Sequence, residues 1–209
     1  KTTNATHSGE VTGSGALTIA DNVVDEANLK VSNSPTNGYN LVARSGNTGG
    51  MTWEAASGGA NTPYFFAYRN SALTTNTETL TTIPFDTEDL DSGSGFNTST
   101  GTYTIPSGQG GKYFFSFAVQ NTTVSAGLVD VYSVLKRTGS ATTIIGLNEH
   151  DMSGNFQKGV TVNNSVLLNC VAGDVIFIQF YQQTESGSAG NIVVGTGRTT
   201  FFTGFKLIE

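Results

Sequence analysis

From Tyr64 to the C-terminus, short blocks of alternating apolar and polar positions follow one another, separated by clusters of Gly, Asn, Asp and Ser. The blocks cover residues 64–68, 79–85, 101–105, 112–120, 128–137, 142–147, 164–171, 174–181, 191–195 and 199–208, and they are rich in aromatic and β-branched side chains. Period-two runs of this length, bounded by turn residues, predict strands. Ten of them at this spacing predict an all-β sandwich or barrel.

Several blocks break the alternation. In Tyr113-Phe-Phe-Ser-Phe-Ala-Val119, one face carries Tyr113, Phe115, Phe117 and Val119, and the other carries Phe114, Ser116 and Ala118. Both are apolar or small throughout. Val175-Ile-Phe-Ile-Gln-Phe-Tyr181, with Phe177 and Phe180, is apolar on both sides as well, and Phe201-Phe202 opens the last block the same way. A two-layer sandwich buries one face of each sheet. The second face needs a cover, and with no helical pattern in reach another subunit is the economical one. A larger single-chain barrel, or packing by the N-terminal segment, are the other ways to cover it.

The first sixty residues read differently. Short apolar pieces, Gly15–Ile19, Asn28–Val31, Tyr39–Ala43 and Met51–Ala55, are separated by turn combinations such as Ser34-Pro35, Asn37-Gly38 and Ser45-Gly-Asn-Thr-Gly-Gly50. Residues 39–55 predict a hairpin with Tyr39, Leu41 and Ala43 facing Trp53 and Ala55. Residues 21–29 could form a turn or two of helix capped by Asp21. None of these pieces closes a core alone, and copies of the same segment in other subunits are the simplest neighbours. The chain therefore divides into an N-terminal shaft or attachment segment, 1–60, and a β-rich head, 61–209. The small, Gly-rich stretch 55–61 serves as the joint.

Composition sharpens this picture. Hydrophobic residues make up 37% of the 209, with 13 Phe and 7 Tyr, which supplies a real core. Only 12% are charged, about half the usual share, and Thr, Ser, Asn and 26 Gly take their place, a mixture that favours strands and tight turns over helices. The net charge is −6, and the ten basic residues are scattered, which disfavours nucleic acid. No apolar run approaches the ~20 residues that span a bilayer, so membrane insertion is not expected. No signal peptide is visible, but a chain that begins at Lys1 is compatible with a processed or truncated product.

Candidate chemistry is sparse. The single cysteine, Cys170, lies in the apolar run Ser165–Val171 and reads as a buried small hydrophobe, not a reactive thiol. His7 and His150 are the only histidines, and Glu149-His150-Asp151, in an expected loop, lacks the further His or Cys of a metal site. Gly108-Gln-Gly-Gly-Lys112 has Pro106 where the first Gly of a phosphate loop belongs and Tyr113 in place of Ser or Thr, so it reads as a turn. No nucleophile motif occurs, and no cofactor is expected. Separated carboxylates could still meet in the fold to cleave glycans. Asp86-Thr-Glu-Asp-Leu-Asp91 gathers four carboxylates and could attract calcium, although it lacks EF-hand spacing and an acidic exposed loop is the simpler expectation. Sequons stand at Asn4, Asn97, Asn121 and Asn163.

The ordered run Phe65-Phe-Ala-Tyr-Arg69, Ile83-Pro-Phe-Asp86, Phe96-Asn-Thr-Ser-Thr-Gly-Thr-Tyr-Thr-Ile-Pro106, Gly111-Lys-Tyr-Phe-Phe-Ser-Phe117, Val166-Leu-Leu-Asn-Cys-Val-Ala-Gly-Asp-Val-Ile-Phe177 and Phe201-Phe-Thr-Gly-Phe-Lys-Leu207 resembles the complement 1q globular domain, a relative of the tumour necrosis factor fold. The likeness spans residues 63–209. Departures are Phe96-Asn97 for Tyr-Asp, Gly110-Gly111 for Pro-Gly and Thr203 for Ser. The resemblance implies a ten-stranded jelly roll assembled as a tight homotrimer, with Tyr113, Phe114, Phe115, Phe117, Phe177, Phe180, Phe201 and Phe202 as trimer or core contacts; some members of the family bind calcium. Residues 6–20, 24–31 and 46–53 resemble stalk segments of tail-fibre and other appendage proteins of marine phages. That implies a non-enzymatic virion fibre, spike or capsid-decorating appendage. Its N-terminal segment would meet other virion proteins, and its head loops (86–95, 120–127, 148–159 and 182–190) would touch a host-surface glycan or protein. A secreted lectin-like recognition module of the complement 1q class is the alternative; a polysaccharide depolymerase is the third reading.

Overall fold

A computed structural model describes residues 11–12, 18–19, 21, 28–55, 61–123, 127–140, 143–151, 159–194 and 197–208. The chain divides into two compact units, Lys1–Gly58 and Gly59–Glu209. Most of the phage-like stretch 6–20, the core of the expected helix at 21–29 and most of the joint at 55–61 lie outside the described residues. Among the described residues, no helix is long and apolar enough to cross a membrane.

In the first unit β1 (Val11–Thr12) pairs with β2 (Thr18–Ile19), and β3 (Tyr39–Ala43) pairs with β4 (Met51–Ala55), both antiparallel. The β3–β4 hairpin has the expected facing: Tyr39 lies opposite Ala55, Leu41 opposite Trp53 and Ala43 opposite Met51. Arg44 and Glu54 form an ion pair on the opposite side, which also holds Val42 and buried Thr52.

The second unit contains β5 (Tyr64–Tyr68), β6 (Leu73–Thr75), β7 (Thr81–Thr82), β8 (Thr87–Asp91), β9 (Phe96–Asn97), β10 (Thr102–Thr104), β11 (Gly111–Thr122), β12 (Leu128–Thr138), β13 (Thr143–Asp151), β14 (Gly159–Cys170), β15 (Val175–Thr184), β16 (Gly190–Ile192) and β17 (Phe201–Lys206). They form two antiparallel sheets. In one, β14, β11, β17, β5 and β8 lie side by side, and β16 and β6 continue it from the end of β11. In the other, the order is β13, β12, β15, β10, β9, with β7 on β15. The chain crosses repeatedly between the sheets, as from β10 to β11, β11 to β12, β13 to β14, β14 to β15 and β15 to β16, the winding of a jelly roll.

The core lies between the sheets. Tyr113, Phe115, Phe117 and Val119 of β11, Phe202 of β17, Phe65 of β5 and Ile176, Ile178 and Phe180 of β15 are fully buried. The alternation read from the sequence sets this, since successive side chains point to opposite faces. Gly204 opposes Phe115 across β17 and β11, and a Cβ there would overlap the Phe115 and Phe65 rings. The glycine of the Phe-Thr-Gly-Phe motif is thus a gap that two aromatic rings fill.

Four local expectations need correction. The block 79–85 is a strand only at Thr81–Thr82; buried Ile83 still donates its N–H to the Ile178 carbonyl at 3.0 Å, and Pro84, with no N–H to donate, ends the pairing before buried Phe85. The acidic stretch after it is not a loop: Thr87–Asp91 is β8, paired with β5. Glu149-His150-Asp151 belongs to β13, paired with β12, and not to a loop. The last strand ends at Lys206 and not at Ile208.

Candidate functional site

The site is the outer face of the β14–β11–β17–β5–β8 sheet. Because β11 points Tyr113, Phe115 and Phe117 inward, Phe114, Ser116 and Ala118 must point outward. Register then gathers their neighbours: Leu167 of β14 and Phe205 of β17 flank Phe114, and Phe201 flanks Ala118. Beyond β17, β5 turns Tyr64, Phe66 and Tyr68 to the same side, and Leu90 of β8 sits opposite Phe66. Rings pack along this face, Phe114 on Phe205 at 5.3 Å and Phe66 on Phe201 at 5.8 Å between centroids. Leu167 is 66% exposed and Leu90 53%. A narrow polar stripe crosses the middle, where Ser165 Oγ donates to Ser116 Oγ (2.8 Å) and Thr203 Oγ1 to the Phe65 carbonyl (2.7 Å). At one border the Arg198 guanidinium lies 4.8 Å from the Tyr68 ring centroid and 5.7 Å from that of Phe66, and is ion-paired with Asp89. Aromatic residues and arginine over a patch of this kind are the composition of a protein–protein interface.

The eight contact residues expected from the sequence separate into three groups. Tyr113, Phe115, Phe117, Phe180 and Phe202 belong to the core of the single chain. Phe114 and Phe201 lie on the outer face just described. Phe177 points outward from the other sheet, between Lys136 and Thr102, away from that face. Phe66, Tyr68, Phe205, Leu167 and Arg198 were not anticipated. Tyr64, Phe66 and Tyr68 carry the same two-faced signal as β11, since the residues between them, Phe65 and Ala67, are apolar too. Arg198 carried no signal, because its place depends on the loop before β17.

The carboxylates of residues 86–91 do separate jobs. Asp86 accepts from the Asn70 and Ser71 N–H groups at 2.7 and 3.0 Å and approaches Arg69 at 3.4 Å. Burial opposes its charge, but these hydrogen bonds and the Arg69 guanidinium hold its carboxyl below the usual range. Asp91 accepts from the Gly93 and Phe96 N–H groups, and Asp89 pairs with Arg198. Among the described residues, no three His, Cys, Asp or Glu side chains come together to hold a metal. Cys170 is buried; burial and nearby Asp174 push its thiol up to about 11. Burial, then Cys170, pushes Tyr113 up to about 12, and its hydroxyl donates to the Gln109 carbonyl at 2.7 Å. Neither group is ionised at neutral pH.

Fold and face together define a jelly-roll domain with a closed core and an aromatic sheet face turned outward. The C1q domain model matches residues 64–207, and the chain belongs to the C1q domain family. Among solved structures it is similar to murine APRIL at pH 5.0, at 12% identity and a TM-score of 0.52 over 69% of this chain and 98% of that one. It is also similar to Eiger TNF from S. frugiperda, at 11% identity and a TM-score of 0.50 over 70% and 92% of the two chains. The globular domain of zebrafish complement 1qA aligns at 18% identity and a TM-score of 0.49 over 70% and 98%. At the identities of the APRIL and Eiger structures, what is shared is the fold. No curated protein sequence matches the chain.

Proposed function

We propose that the second unit assembles as a homotrimer through the outer face of the β14–β11–β17–β5–β8 sheet and acts as a non-enzymatic binding head. The observation that carries this is the aromatic face itself. The core is already closed within the second unit, yet Phe66, Phe114, Phe201, Phe205, Leu90 and Leu167 remain on a surface that no helix among the described residues covers. Contiguous apolar surface beyond a few hundred Å² marks an interaction site. A symmetric assembly of copies is the common way to cover such surface, and membership of the C1q family favours three.

In the fuller reading this head tops a virion fibre, spike or capsid decoration. It is displayed outside the host cell, joined to other virion proteins through residues 1–60, and touches a host-surface glycan or protein with its loops. The phage-like stretches at 6–20, 24–31 and 46–53 favour it. A secreted lectin-like recognition module of the C1q class draws equally on the match at 64–207, and both readings share the trimeric head. Phe201→Glu tests the head: the variant is expected to sediment as a folded monomer, and a trimer indistinguishable from the parent would overturn the interface. Mass spectrometry of purified virus particles from the source separates the two settings. The chain in stoichiometric amounts supports the virion, and its presence only in particle-free medium supports the secreted module.

A further inference from the structure

We infer that the β3–β4 hairpin is a second homotrimeric contact, its apolar face packed on the same face of the hairpins of the two other copies. Register gathers Tyr39, Leu41, Ala43, Met51, Trp53 and Ala55 on one side of the hairpin, with no charge among them. Asn40, Val42, Arg44, Thr52 and Glu54 occupy the other side, where Thr52 is buried and Arg44 and Glu54 form a two-pronged ion pair. On the apolar side Tyr39 and Leu41 are 39% and 38% exposed, and Trp53 is half-buried. A two-stranded hairpin is marginal by itself in water, so this face requires a cover.

The choice of occupant follows from the edges and the tether. The free edge of β4 is taken: Ser32 N–H donates to the Met51 carbonyl at 3.1 Å, and the Asn33 side chain accepts from the Trp53 N–H and donates to its carbonyl. A partner strand cannot add at that edge, and the uncharged side offers itself for face-to-face packing. Eight residues separate Ala55 from Tyr64, a reach of at most ~30 Å. If the heads trimerise as proposed above, on which this inference rests, three identical uncharged faces are held at an effective concentration on the order of millimolar. Identical faces under three-fold symmetry need no other partner.

Trp53 is the chain's single tryptophan, so its emission reads this face alone. The test compares the full-length chain with Ala43→Arg and Asn40→Arg, the same change at exposed positions on the two sides of β3, by light-scattering mass and acrylamide quenching. The parent and Asn40→Arg are expected to be trimers whose Trp53 is several-fold less quenchable than in the urea-unfolded chain. Ala43→Arg is expected to raise quenching at least twofold, either within a trimer held by its heads or with loss of the trimer. Trimers with equal quenching in all three proteins would overturn the hairpin contact and leave the head intact. Equal rises in both variants would do so too, because they assign the shielding to the hairpin's own fold. A monomeric parent would show in the mass alone, and it would remove the head reading and the hairpin contact together.

Discussion

Three aspartates in the second unit show how a single carboxylate either ties the fold together or strains it. Asp174 is fully buried, yet its oxygens accept from the Ser140 and Val171 N–H groups at 2.7 and 3.0 Å. Burial works against the charge; the hydrogen bonds and nearby Arg137 overcome it and hold the carboxyl below its usual range. Asp86 is held low in the same way. A lowered folded-state pKa stabilises above the unfolded value of about 4, and the contribution disappears as pH falls through the lowered folded value. Urea midpoints are therefore expected to fall below about pH 4, and Asp174→Ala should cost about 3 kcal/mol at pH 7 and much less at low pH. Asp130 has the opposite sign. It faces Asp151 directly and lies near Glu149 on β13, and burial followed by those two charges raises its pKa. Its ionisation opposes folding at neutral pH and ceases to do so as pH drops through the raised value. Asp130→Asn is expected to stabilise by ~0.5 kcal/mol at pH 7, with the gain vanishing in acid; a loss of stability at pH 7 would contradict this.

At the scale of elements, β11 organises the unit, since β14 and β17 pair on its two sides and its inward rings build the core. Phe115→Ala should cost about 3–5 kcal/mol in denaturant unfolding. Gly101 follows the turn in which the Asn97 side chain accepts from the Ser99 and Thr100 N–H groups; its φ is +70°, and a Cβ would overlap the Ile83 carbonyl. Gly101→Ala should therefore destabilise by more than the ~1 kcal/mol of a simple conformational effect. Much of this was legible in the sequence. Period-two runs place β5, β11, β12, β15 and β17, and the Asn97–Gly101 turn follows from residue type. What stayed hidden has physical causes. Leu73–Thr75 is too short to show a period, and β8 is an edge strand with exposed Glu88 and Asp89, so its charges read as a loop although its backbone pairs with β5. The candidate face was half legible. Phe114 and Phe201 stood out because aromatic residues adjoin them, whereas grouping them with Phe66, Phe205 and Leu167 requires the pairing of β5, β17, β11 and β14. Phe177, equally apolar in sequence, falls on the other sheet for the same reason.

On the scale of the whole molecule, an apolar surface stands open on the second unit among the described residues. Tyr113, Phe115, Phe117, Phe180 and Phe202, which read as possible subunit contacts, are internal, so the outer face is the surface proposed for assembly. Loops displayed by a trimer would act together, so weak individual contacts with a glycan or protein could give strong attachment. The most direct test is light-scattering mass on the purified chain, repeated on residues 61–209. The expected mass is three times that of the chain, which is 21.9 kDa, with a threefold mass for the shorter piece as well. A stable, folded monomer in both would contradict it, since the aromatic face would then stand uncovered in water.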